Sequence, residues 1–163
     1  MKLLAIGDFH GTFSNKFYKI IDKENIDTVI SLGDYPPFHY RKLWFKHCYG
    51  KDVELWEVIG KKKYQDLVLE DLRMAENSLK KLNSVKVPVF TVLGNIDWPA
   101  TDDIIDSKKE SKTMPGYDKK EKLAQRLKKY KNITRFDYSY VKFGDYILIG
   151  MRGHSIPGRP GSK

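Results

Sequence analysis

The chain has 163 residues, 40% of them hydrophobic and 13% aromatic, which suits a single domain with its own core. The net charge of +9, from 30 Lys and Arg against 21 Asp and Glu, favours polyanionic partners. No apolar run approaches the ~18–20 residues of a membrane-spanning helix, so a helical membrane protein is excluded.

The opening segment Met1-Lys2-Leu3-Leu4-Ala5-Ile6 has the charge and apolarity of a short signal peptide. Asp8 and His10 follow at once, where a cleavage site requires small residues, so the segment reads as a first strand. The single cysteine, Cys48, excludes an internal disulfide and agrees with a reducing compartment. A cytoplasmic location is expected.

Three short runs share one form: Leu3-Leu4-Ala5-Ile6, Val29-Ile30-Ser31-Leu32 and Val89-Phe90-Thr91-Val92-Leu93. Each is too short for a helix and lacks strict alternation, which predicts strands buried on both faces. Between the first two, Ser14 is placed to cap a helix running to about Glu24, with Phe17, Ile20 and Ile21 inward. Residues 36–56 are rich in Phe, Tyr and Trp. They read as a small satellite core or, within 36–60, as a lid inserted over a crevice. His39, His47 and Cys48 lie in this stretch, but their number and spacing are too poor for a zinc site. Val68, Leu72, Ala75, Leu79 and Leu82 recur at steps of four and three, predicting a helix over 64–82. Strands alternating with helices indicate βαβ units and a parallel sheet, hence an α/β first half.

Residues 98–117 read as a loop, and Asp118 to Glu121 resembles a capping box opening another helix. Tyr138 to Met151 reads as a hairpin turning at Gly144-Asp145, and the tail from Gly153 as irregular. The lysines of 61–63, 108–112 and 119–131 read chiefly as a solvated surface. A nucleic-acid role requires basic residues and stacking aromatics on one face, which spacing alone does not establish.

The chemistry gathers where the three apolar runs end, at Gly7-Asp8, Gly33-Asp34 and Gly94-Asn95. In an open parallel sheet, ligands bind outside the carboxyl ends of the strands, so these residues and His10 face one crevice. Two carboxylates brought together repel unless a proton or a cation intervenes. Asp, Asn and His together suit Mn, Fe or Zn. No Gly-x-Ser-x-Gly elbow is present to supply a protein nucleophile.

Gly7-Asp8-Phe9-His10-Gly11, Gly33-Asp34 and Gly94-Asn95-Ile96-Asp97 resemble the ordered blocks of the calcineurin-like metallophosphoesterases, GDxHG, GDxx and GNH followed by an acid. The resemblance is close over residues 1–97 and loose over the hairpin. It implies an αββα sandwich carrying two divalent metal ions. In that family's pattern Asp8 and His10 would hold the first ion, Asp34 would bridge both, and Asn95 would bind the second and touch the phosphate. Arg152 and His154, past the hairpin, are further candidates for binding the phosphate. The implied function is hydrolysis of phosphate esters by a dinuclear metal-activated hydroxide, with phosphodiesters favoured over monoesters.

Two departures qualify the resemblance. Ile96 stands where the family has the histidine thought to assist the leaving group, so no catalytic acid is assigned, and Asp97 is left to cap the turn before Pro99. The family's later histidine ligands are absent, so the single domain, 1–163, is expected to be incomplete at its C-terminal side. A missing second half or a homodimer would then cover the open sheet. A catalytically silent scaffold that binds a protein partner, and a nuclease acting on DNA or RNA, remain as alternatives.

Overall fold

The structure, a computed structural model, describes residues 1–94, 96–97 and 126–151. In chain order the elements are β1 (Leu3–Ile6), α1 (Lys16–Lys23), β2 (Thr28–Ser31), α2 (His39–His47), α3 (Leu55–Ile59), α4 (Lys61–Asn83), β3 (Val89–Thr91), β4 (Ile133–Arg135), β5 (Ser139–Phe143) and β6 (Tyr146–Gly150). The first four strands form one parallel sheet in the order β1-β2-β3-β4, and β5 and β6 form a separate antiparallel hairpin. This is the expected mixed α/β architecture with a βαβ first half.

The register explains why the apolar runs are continuous. Leu4, Val29, Val89 and Ile133 form one cross-strand row and join the core beneath the helices. The adjacent row, Ala5, Ile30, Phe90 and Thr134, faces the other way. Phe90 and Ile30 there pack with Val92, Phe136, Val141, Phe143 and Leu148. The hairpin thus covers the second face over β2 and β3, where the sequence led us to expect an open face. At the edge strand β1, Leu3 stays exposed, so burial on both faces holds for the central strands only.

Helix α4 buries Val68, Leu72, Ala75, Leu79 and Leu82, the face its periodicity predicts. Removing such a side chain from water contributes about 1.5–3 kcal/mol. The helix begins three residues before Tyr64, at Lys61, because Gly60 (φ 85°) closes α3 and opens α4. Helix α1 starts from Asn15 and not Ser14, and Ser14 Oγ accepts from the Lys16 amide. Ile21 is buried and Phe17 packs on the core, while Ile20 is exposed.

The aromatic stretch folds as α2 and α3 against α4. Tyr40, Leu43, Trp44 and Trp56 pack on the main core beside buried Cys48 and Leu55, whereas Phe38, Phe45 and Tyr49 face solvent. Strand β4 has no sequence signal, being three residues long. It is anchored by Asn132, whose side-chain amide donates to the Val85 and Val87 carbonyls and whose backbone N–H donates to Asn83. The hairpin turns at Gly144-Asp145 as expected. The loop over 98–117, the capping box at 118–121 and the tail lie outside the described residues. No helix among the described residues is long and apolar enough to cross a membrane.

Candidate metal centre

Asp8 and His10 follow the end of β1, and Asp34 follows the end of β2. All three hold left-handed backbone conformations, with φ of 53°, 45° and 58°. Non-glycine residues adopt this region sparingly, and such strain concentrates at functional sites. The two loops are stitched together by the Asp8 amide donating to Gly33 O at 3.2 Å, the His10 amide to Asp34 O at 2.9 Å and the Gly11 amide to Tyr35 O at 2.7 Å.

His10 Nε2 lies 3.9 Å from Asp8 Oδ1. The Asp34 carboxyl lies beside that of Asp8. Burial pushes it above the ordinary carboxylate range, the Ile96 amide donating to Oδ1 at 3.0 Å pulls it down, and Asp8 pushes it up again. His10 Nδ1 is buried with no hydrogen-bond partner among the described residues, and the Phe38 ring packs on the imidazole at 4.0 Å between centroids.

These donors fit a divalent cation in their chemistry: two facing carboxylates that a cation would neutralise, and an imidazole with an unsatisfied nitrogen. The side chain of Asp8 is 80% exposed. No three His, Cys, Asp or Glu side chains among the described residues are grouped as a ready-made cation site. Asn95, Arg152 and His154 lie outside the described residues.

Asp97 emerges as the organiser of the site. Its Oδ2 accepts from the amides of Asp34 at 2.9 Å and Gly94 at 2.6 Å, and its Oδ1 accepts from the Tyr35 amide at 2.8 Å. Complete burial pushes its pKa up to about 7, with the three amides opposing. From sequence we assigned Asp97 only a local turn, since an acid near a proline gives no sign that its partners sit on another loop. The close packing needs glycine twice: a Cβ on Gly33 would sit 2.1 Å from the Gly94 nitrogen, and one on Gly94 would sit 2.1 Å from Asp34 Oδ1. Beneath the loops, buried Tyr35 Oη links Ser31 Oγ at 2.5 Å and Thr91 Oγ1 at 2.6 Å.

Ile96, at the position of the family histidine, is buried and offers the site only its backbone amide. His39 is engaged away from any zinc ligands: its Nδ1 lies 3.0 Å from Asp71 Oδ1, and Asp71 Oδ2 also accepts from the Tyr40 amide, which ties α2 to α4.

A parallel four-stranded sheet flanked by helices, with carboxylates and an imidazole just past its strand ends, defines an open-sheet α/β domain. The sequence pattern of the calcineurin-like phosphoesterases matches residues 1–159, and the chain belongs to that family. A protein of known crystal structure superposes with a TM-score of 0.60 at 18% identity, over 91% of this chain and 51% of that one. The likeness supports the fold, and this chain spans about half the length of that protein. No functionally curated protein matches the sequence.

Proposed function

We propose that the chain carries the metal-binding half-site of a metal-dependent phosphoesterase that acts on phosphodiesters in preference to monoesters. The observation that carries this reading is the Asp34 carboxyl beside that of Asp8, with His10 Nε2 3.9 Å from Asp8 Oδ1, on two loops joined backbone to backbone. Asp8, His10, Asp34 and Asn95 would hold two ions of the Mn, Fe or Zn kind. Such a pair of ions lowers the pKa of bound water and neutralises charge on the phosphoryl group.

The chain's own residues set the limits of the chemistry. Asp97 holds the Asp34 and Gly94 backbones, and the Ile96 amide holds the Asp34 carboxyl through Oδ1. Ile96 cannot protonate a leaving oxygen, and general acid assistance is typically worth ~10²–10⁴ in rate. Substrates with good leaving groups are therefore favoured. The same Ile96 is what favours the second reading, a scaffold that has kept the fold and lost hydrolysis.

Calorimetric titration with Mn²⁺, alongside hydrolysis of bis(p-nitrophenyl) phosphate and p-nitrophenyl phosphate, separates the two. Two ions bound per chain, binding lost in Asp34→Asn, and faster cleavage of the diester are expected. Metal binding without hydrolysis of either ester would favour the scaffold. No metal binding, or undiminished binding in Asp34→Asn, would overturn the site.

A further inference from the structure

Helix α2 is inverted in its chemistry. Its inward side carries Tyr40, Leu43 and Trp44, as a packed helix should. Its outward side, where uncharged polar residues would suffice, presents Phe38, Phe45 and Tyr49, which are 48%, 43% and 54% exposed. Phe38 at the N-cap and Phe45 seven positions on lie on one side of the helix, and Tyr49, just past its end, packs on Phe45 and continues the stripe. Lys42 and Lys46 lie exposed along it, and the Arg41 guanidinium sits 5.3 Å over the Phe45 ring. The helix sequence, HYRKLWFKH, contains no acid.

The rings are held for contact. Phe45 and Tyr49 lie 5.3 Å apart, and both pack edge-on against the half-buried Trp44, at 5.3 and 6.0 Å. At the other end, Phe38 rests on His10 of the candidate metal centre. The stripe therefore begins at the crevice and leads away from it. Exposed aromatic faces alternating with cations bind unpaired bases by stacking and phosphates by charge. A protein partner or an apolar surface would account for the rings but not for Lys42 and Lys46 exposed beside them.

We propose that the outer stripe of α2 is a track for single-stranded nucleic acid, with Phe45 and Tyr49 stacking bases and Lys42 and Lys46 pairing phosphates as the strand approaches His10. This assigns the substrate class of the phosphoesterase reading and rests on it for its catalytic meaning. Binding by the stripe, however, is measurable without metal.

The test is fluorescence anisotropy of a labelled twelve-nucleotide oligo-dT with the full chain in EDTA, across a salt series, so that neither metal loading nor hydrolysis enters the readout. Phe45→Ala and Tyr49→Ala are expected to weaken binding at least about fivefold each, the lower end of what one lost base stack costs, with the salt slope unchanged. The Lys42→Ala/Lys46→Ala pair is expected to reduce the slope of log K against log salt by roughly 1.4, at about 0.7 per phosphate. Circular dichroism confirms that each variant is folded. Duplex binding as tight as single-strand binding and indifferent to the aromatic variants would overturn the track in favour of diffuse charge attraction. A dimer dissolved by Phe45→Ala, with no oligonucleotide bound, would overturn it in favour of a second copy on this face. Failure of Mn²⁺ binding with oligonucleotide binding intact would sink the metal centre and leave the track standing.

Discussion

Asp97 accepts a hydrogen bond from the backbone amide of Asp34 at 2.9 Å, across 63 positions of sequence. Through it the loop after β3 fixes the loop after β2, and the candidate bridging carboxylate inherits its position from a residue that need never touch a metal or a phosphate.

Replacing Asp97 by Ala removes the acceptor of three amides, those of Asp34, Tyr35 and Gly94. A buried donor left unpaired costs about 1–3 kcal/mol, so a loss of about 3 kcal/mol or more is expected. For a chain of this size that lowers Tm by at least about 6 °C. Thermal denaturation by circular dichroism reads it, and an unchanged Tm would show that the clamp is dispensable.

The same carboxyl gives stability a pH dependence in the metal-free protein. Burial raises its folded pKa from 3.8 to about 7, so the folded state holds a proton that the unfolded state has released. Its contribution is therefore full below about pH 4 and is lost as pH rises through about 7. Urea midpoints measured in EDTA between pH 5 and 8 should fall more steeply for the wild type than for Asp97→Asn. Parallel profiles would contradict the assignment.

Gly33→Ala should be far worse than Gly50→Ala, although the two glycines have similar φ values of 79° and 73°. A Cβ on Gly50 meets nothing within 4 Å, so only the backbone cost of about 1–2 kcal/mol applies. At Gly33 the added carbon would meet the Gly94 nitrogen at 2.1 Å and Asp97 Oδ2 at 2.4 Å, breaking the clamp. Soluble yield and Tm of the two variants make the comparison, and equal losses would mean the loops can part without consequence.

Tyr35→Phe keeps the ring and deletes the hydroxyl that joins Ser31 and Thr91. Thr91 Oγ1 retains the Ser31 and Val92 carbonyls as acceptors, whereas Ser31 Oγ loses its partner. The expected cost is about 1–2 kcal/mol, a Tm lower by a few degrees. A variant as stable as the wild type would mean Ser31 finds another acceptor.

The sequence by itself determined strands β1, β2 and β3, the inward face of α4, the hairpin turn and the position of Asp8, His10 and Asp34 just past the ends of β1 and β2. Each is written in local periodicity or in a glycine beside a ligand-type residue, and a parallel sheet sends every strand end to the same side. Tertiary structure alone decided the rest. Strand β4 is too short to carry a pattern and exists because Asn132 and β3 hold it. The covering of Ile30 and Phe90 by the hairpin, the division of the aromatic stretch into core and exposed stripe, and the reach of Asp97 to Asp34 all depend on packing between distant segments. Burial and hydrogen-bond partners across tens of residues are properties of the assembled fold, and no window of sequence contains them.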